Sequence, residues 1–303
     1  MKWIKKYWYK ILNIALIVFV LIYSITVAFK KVHEYKMYEE QEIEIEMYTI
    51  WHIETFEGGG KARINYLKSI ARSIEKSNAG VLFVIRAIDA DKLASELTFD
   101  TPDIISFGYG VGKTILPILK SQDTAYDIRD ELIESGSFNR NLYALPYIMS
   151  GYAMFTHSAE STEFHCGQTN FTKPEIIYNT LNLSPIETEA QYDAYKDFVY
   201  NKNVKLLGTG RDLYRVNNLN NIGRANAQIT PIDTYTDLIQ YIGTTKNDSI
   251  TKKYLNAIFS MENQQALVDY SLFSSLYIKI YQNGIYSDME DAIMSASIPR
   301  VFE

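Results

Sequence analysis

Cysteine is nearly absent from this chain: Cys166 stands alone among 303 residues. A single thiol excludes an intramolecular disulfide and any metal site built from several cysteines. Lone cysteines mostly serve as small core residues. Histidine is scarce too. His33, His52, His157 and His165 show no metal-ligand spacing, and no HExxH helix occurs. His165 beside Cys166 is adjacency along the chain, which says nothing about a nucleophile and a base meeting in space. There is no Gly-x-Ser-x-Gly elbow and no P-loop. Gly108, Gly110 and Gly112 have the wrong spacing for a dinucleotide fingerprint and read as a strand-to-helix turn. No catalytic constellation, no metal site and no cofactor are therefore expected, and the chain reads as a non-enzyme.

Basic charge is lacking over most of the length. Residues 1–36 hold seven lysines and one glutamate, a net +6, so the remainder carries −12 of the overall −6. An acidic body argues against nucleic acid as a partner, because neutralising phosphates needs a basic face. Hydrophobic residues make up 47% and charged residues 22%, a globular composition. The length suffices for a sizeable core in one or two domains. Twenty-four tyrosines would suit a surface that stacks on sugars, although packing accounts for most tyrosines.

Charge is absent altogether from Ile11 to Phe29, where only Asn13, Ser24 and Thr26 are clearly polar. As a helix these 19 residues span about 28 Å, near the hydrocarbon thickness of roughly 30 Å. Four lysines precede the run and three follow it, a slight bias for an inside amino terminus. A cleaved signal peptide, with Thr26-Val27-Ala28 as its small-x-small site, competes with an uncleaved anchor. The length of the run favours the anchor. No cysteine lies near Phe29, which excludes a lipoprotein linkage. Both readings export the rest of the chain. Residues 31–45 then form a charged spacer or short helix, its acidic run a solvated face.

The stretch from Met47 to Phe107 sets the architecture. Met47–His52 reads as a buried strand. A loop ending in Gly58-Gly59-Gly60 leads to a helix over Lys61–Ser77, with Ile64, Leu67, Ile70, Ala71 and Ile74 at helical spacing and Lys68, Arg72 and Lys76 off that face. Asn78-Ala79-Gly80 ends it. Val81–Ile85 is the next strand, a short helix covers roughly Asp91 to Leu97, and a third strand follows at Pro102–Phe107. The β-α-β-α-β order predicts a parallel sheet with its ligand crevice at the carboxyl ends of the strands.

Thr49-Ile50-Trp51, a helix, an extended strand and then Pro102-Asp103-Ile104-Ile105 resemble the opening lobe of the family 1 extracellular solute-binding proteins of ABC importers. That group contains the maltose-binding-like sugar receptors. Later stretches add to the likeness. Leu145-Pro146-Tyr147 followed by Gly151-Tyr152-Ala153 resembles the crossing from first to second lobe, two short strands broken near Ser150-Gly151. Asn203 to Arg215 resembles a strand, a Gly-Thr turn and a helix start facing the cleft. Ile229–Ile232, Tyr235–Gly243 and one helix over Ile250–Leu267, with its Gln264-Gln265 junction, resemble the return segment. A closing helix over Ile285–Ile298 resembles the family's ending, so the chain is expected to be complete. The likeness covers most of residues 45–303 and weakens at 157–200, where Lys173–Leu181 and Gln191–Tyr200 suggest helices and the second lobe looks short.

The resemblance implies a mixed α/β, two-lobe periplasmic-binding-protein-like (type II) fold with a shortened second lobe, preceded by one transmembrane helix. Its implied divisions are 1–30 for the signal or anchor, 31–45 for the spacer, 46–148 for the first lobe with a returning segment at about 228–270, and 149–227 for the second lobe with C-terminal helices at about 271–303. It implies ligand contacts from Glu54, Thr55 and Phe56 in the first loop, Phe107 and Tyr109 after the third strand, Tyr147 and Ser150 at the crossing, and Thr209, Gly210 and Arg211 from the second lobe. Arg211 reads equally as a structural partner of Asp212 or another surface acid, and Trp51 reads as core. The implied partners are a small solute, a mono- or oligosaccharide, and an ABC permease in the same membrane, the protein itself a monomer. A membrane-anchored sensor or structural protein on the same scaffold is the alternative. An exported hydrolase rests only on Glu54 and Glu57 as paired carboxylates.

Overall fold

The structure is a computed structural model. It describes residues 2–39, 44–54, 62–123, 126–157, 163–166 and 191–303. The chain divides into two compact units, Met1–Ile45 and Glu46–Glu303. The first is one helix, α1 (Lys2–Glu39). Its stretch Leu12–Phe29 is long and apolar enough to cross a membrane, with a mean hydropathy of 2.5 and none of it covered by protein. The helix runs on through the expected spacer as far as Glu39.

The body opens as its periodicity requires. Strand β1 (Glu46–Ile53) pairs in parallel with β2 (Val81–Ile88) and with β3 (Ile104–Phe107). Helix α2 (Ala62–Ser77) makes the first crossover and buries Tyr66, Leu67, Ile70, Ala71 and Ile74, together with Arg63. Gly80, at φ +85°, turns the chain back into β2, a conformation that side chains other than glycine's resist. From β1 onward both faces of the sheet are covered, so Ile50, Trp51, His52 and Ile53 are all buried.

A short hairpin, β4 (Ser137–Phe138) with β5 (Asn141–Leu142), stands apart, and β6 (Leu145–Met149), β11 (Ile239–Thr244) and β12 (Phe273–Ser274) complete the first sheet in the order β12-β6-β11-β3-β1-β2. Strand β11 lies antiparallel to both β3 and β6, and β12 antiparallel to β6. One face is closed by α2 and the helix Ser249–Ile258, where Tyr254 Oη donates to the Leu67 carbonyl at 3.0 Å and its ring lies 5.1 Å from Phe83. On the other, Ser135 meets Tyr241 Oη at 2.7 Å and the ring of Phe302 lies 6.2 Å from Phe107.

The second sheet has four strands, in the spatial order Gln228–Pro231, Tyr152–Thr156, Val204–Thr209, Glu163–Cys166. Strand β7 (Tyr152–Thr156) lies antiparallel to both β10 (Gln228–Pro231) and β9 (Val204–Thr209), and β8 (Glu163–Cys166) runs parallel to β9. Phe198, from the helix Gln191–Tyr200, packs on Phe155 at 6.2 Å between ring centres. The chain thus leaves the first sheet at Met149, enters the second at Tyr152, and returns between Pro231 and Ile239. Gln228–Pro231 sits in the second sheet and Phe273–Ser274 in the first, so the crossing back falls later than residue 228.

Two helices differ from expectation. The single helix over Ile250–Leu267 is broken into Ser249–Ile258 and Met261–Gln265, because Ser260 turns extended and caps a new start by accepting from Asn263 N at 3.3 Å. The closing helix, Gly284–Ser295, stops before Ile298. Pro299 disfavours helix at the residue before it, and Ser297 instead bonds the Thr234 carbonyl through its N at 3.1 Å and its Oγ at 2.7 Å. The expected helix at Lys173–Leu181 lies outside the described residues.

Candidate functional site

Parallel and antiparallel register bring six chain segments to one edge of the first sheet. There β1, β2, β3 and β6 end, and β11 and β12 begin: Ile53 pairs with Ile88, and Ile239 and Phe273 both pair with Met149. The crossing strands are stitched together at this edge. Ser150 N donates to the Leu238 carbonyl at 2.7 Å, and Thr236 Oγ1 donates to the Ser150 carbonyl at 2.8 Å.

The helix start of the second sheet meets the same edge. Thr209 caps the helix Gly210–Asn221: its Oγ1 accepts from Arg211 N at 3.3 Å, while its own N donates to Asp212 Oδ2 at 3.1 Å. A Cβ on Gly210 would lie 2.6 Å from Ser150 Oγ and 3.9 Å from the Phe273 ring. Ser150, Thr209 and Gly210 are therefore brought together, with Phe273 beside them. Arg211 is half-buried, and Asp212 forms an ion pair with Arg215 at 3.7 Å.

Glu54 follows β1 directly and is 49% exposed, its carboxylate paired with the guanidinium of Arg63, which is 1% exposed. Thr55, Phe56 and Glu57 lie outside the described residues. Tyr109 is nearly buried; its Oη meets Tyr241 Oη at 2.8 Å and donates to the Pro299 carbonyl. It lines a cavity of about 290 Å³ with Gly110, Ile298, Pro299 and Arg300. Phe107 and Tyr147 are placed differently from expectation. Both are fully buried, Phe107 stacked on Tyr241 at 6.1 Å and Tyr147 on Tyr66 at 6.3 Å. Strand alternation at their positions turns both rings into the packed layers.

Beneath the edge lies a polar cluster that the sequence reading missed. Ser106 Oγ stands 2.9 Å from His52 Nδ1, 2.8 Å from Tyr147 Oη and 2.9 Å from Gln240 Nε2, which also donates to the Ile53 carbonyl at 3.1 Å. All four side chains are 1% exposed or less. One proton arrangement satisfies the hub: Gln240 and Tyr147 donate to Ser106, and Ser106 donates to a neutral His52. Burial, and secondarily the Arg63 charge, hold His52 down to about 3. Burial pushes the Tyr147 hydroxyl well up. Ser106→Ala strands up to three buried groups at once, and each orphan costs about 1–3 kcal/mol. We expect a loss of about 3 kcal/mol in urea unfolding. Adding Tyr147→Phe to Ser106→Ala should then cost less than the two single losses summed; strict additivity would contradict the hub.

No family model matches the sequence, and no curated protein matches it either. Solved structures do. The GacH receptor of Streptomyces glaucescens, described unliganded and with acarbose, shares 12% identity at a TM-score of 0.59, over 86% of this chain and 89% of that one. Maltose-bound MalE3 of T. maritima shares 10% at 0.60, over 84% and 90%. The extracellular solute-binding protein of Staphylococcus aureus in complex with maltose shares 12% at 0.58, over 83% and 86%. At such identities the likeness speaks for the fold. This chain therefore has the mixed α/β, two-lobe fold of the maltose-binding-type solute-binding proteins, with one apolar helix ahead of it.

Proposed function

We propose that this protein is a carbohydrate-binding receptor of an ABC importer, held on the extracytoplasmic face by its amino-terminal helix. The observation that carries the reading is the fold likeness along at least 83% of the chain to receptors described with maltose or acarbose. In this reading a sugar lies along the carboxyl edge of the first sheet. Glu54 accepts bonds from its hydroxyls, Thr55 and Phe56 complete the first loop, and Tyr109, Ser150, Thr209, Gly210 and Arg211 bound it from the crossing strands and the second sheet. Phe107 and Tyr147 act from behind, as the packing that fixes the edge. A second reading, a membrane-anchored sensor or structural protein without a small ligand, draws on the direct contact of Gly210 with Ser150, which leaves no room for a methyl group between them.

The test is the unfolding midpoint of the full chain in detergent against maltose, maltotriose, acarbose, polyols, phosphate esters and short peptides. A ligand that binds only the folded state adds about 2.7 kcal/mol at a hundredfold excess over its dissociation constant. A dose-dependent rise with a sugar, weakened at least tenfold in Glu54→Ala, is the expected result. A folded protein that responds to no member of the panel would replace this reading with the second.

A further inference from the structure

A buried guanidinium stands beside the crossing strands, and no carboxylate among the described residues pairs with it. Arg129 is 4% exposed. Its Nη1 donates to the Met294 carbonyl at 2.5 Å, and its Nη2 lies 3.5 Å from Met149 Sδ. None of the ion pairs among the described residues includes it. Glu131 acts on it only through space, from an exposed position. The Met294 carbonyl belongs to the last turn of the helix Gly284–Ser295, whose C-terminal end supplies roughly half a negative charge. A thioether adds little as an acceptor. The cation is thus under-compensated, and an unpaired buried charge costs several kcal/mol.

A second orphan donor lies directly across from it. Ile128 and Leu276 form an antiparallel bridge, and Tyr277 N donates to the Asp127 carbonyl at 3.0 Å. That register sets Arg129 opposite Ser275, with both side chains on one side of the pair. Ser275 is fully buried. Among the described residues, Arg129 Nε and Ser275 Oγ both lack a hydrogen-bond partner. Nε can only donate, and the hydroxyl is free to donate. Two neighbouring donors beside a buried positive charge ask for one acceptor that is itself negative. Water would satisfy the donors and leave the charge.

We propose that Arg129 and Ser275 hold a small monovalent anion of chloride size against the end of β6. The place gives the anion a consequence. Met149 is the last residue of β6 before the chain crosses between sheets, and the helix that ends near Met294 packs its Ile293 and Met289 on Gly151 in that crossing. An anion there braces both elements that frame the crossing.

The experiment compares the unfolding midpoint of the full chain in detergent in sodium chloride and in sodium gluconate at equal ionic strength, gluconate being too large for such a site. At tenfold excess over its dissociation constant, chloride should raise the midpoint by about 3 °C for a body of this size. Arg129→Met should abolish the difference. Ser275→Ala keeps the cation and should shift the chloride dependence several-fold to higher concentration; it carries the test if Arg129→Met does not fold. Crystals grown in bromide should show an anomalous peak within hydrogen-bonding reach of Nε and Oγ. Equal midpoints in the two salts, a chloride response unchanged in Ser275→Ala, or a water without anomalous signal between the two donors would overturn the proposal.

Discussion

Between pH 7.5 and pH 5 the protein is expected to lose about 2 kcal/mol of stability through His52 alone. His52 sits in β1 with 1% of its surface exposed, one nitrogen engaged with Ser106 and the Arg63 charge nearby. Both surroundings disfavour the imidazolium, burial more than charge, and bring the folded value from 6.5 to about 3. The folded value is depressed, so the unfolded chain takes up its proton first as the pH falls. The contribution is intact above 6.5 and is lost progressively down to about 3. Over that whole span the loss approaches roughly 5 kcal/mol. Carboxylates titrate mostly below pH 5, so the upper window isolates histidine. In His52→Asn, the side-chain oxygen can still accept from Ser106 and does not titrate. Urea unfolding of both proteins at pH 7.5 and pH 5 should show the wild type losing about 2 kcal/mol more than the variant. Equal losses would place His52 in contact with water.

The same cluster shows what the sequence could and could not convey. The β-α-β-α-β opening was legible to within a few residues at each boundary, because β1 is apolar and α2 repeats at helical spacing. The burial of Arg63 was not read from the sequence, although its position carries the signal. Arg63 lies four residues before Leu67 and seven before Ile70, on the helix face that packs inward, where its type argues for the surface. Spacing decided, and Glu54 at the end of β1 makes the burial tolerable. The burial of Phe107 and Tyr147 was hidden for the opposite reason. In strands covered on both faces the alternation of apolar and polar residues is erased, so nothing in the residue types says which side of the sheet a ring will take. The break at Ser260 was hidden likewise: the apolar repeat runs on past it, and only the serine three residues before Asn263 marks the new start. Ser150 and Gly210 stand 60 positions apart, and their contact follows from two sheets crossing, which no local pattern encodes.

Gly136→Ala should cost at least about 3 kcal/mol, the upper end of what overpacking does. Gly136 has φ −91° and ψ 6°, a conformation that alanine adopts freely. Backbone entropy alone would make the substitution stabilising by up to about 1 kcal/mol. Space argues the other way. A Cβ would stand 1.9 Å from the Ala144 carbonyl oxygen and 3.0 Å from its carbon. Those atoms cannot swing aside, because the Gly136 carbonyl already accepts from Tyr143 N at 3.1 Å and Ala144 N at 3.2 Å. Ala144 leads straight into β6, so relief by backbone movement would shift the strand that carries the crossing edge. The steric cost exceeds the entropic gain, and the sign is destabilising. Gly110 supplies the opposite control. Its φ is +93° with open space around the missing Cβ, so Gly110→Ala should cost about 1–2 kcal/mol from conformation alone. Urea unfolding of the full chain in detergent should therefore rank wild type above Gly110→Ala, and Gly110→Ala above Gly136→Ala. A Gly136→Ala protein as stable as wild type would mean that the Ala144 carbonyl stands clear of residue 136 and that β6 enters its sheet along a different line.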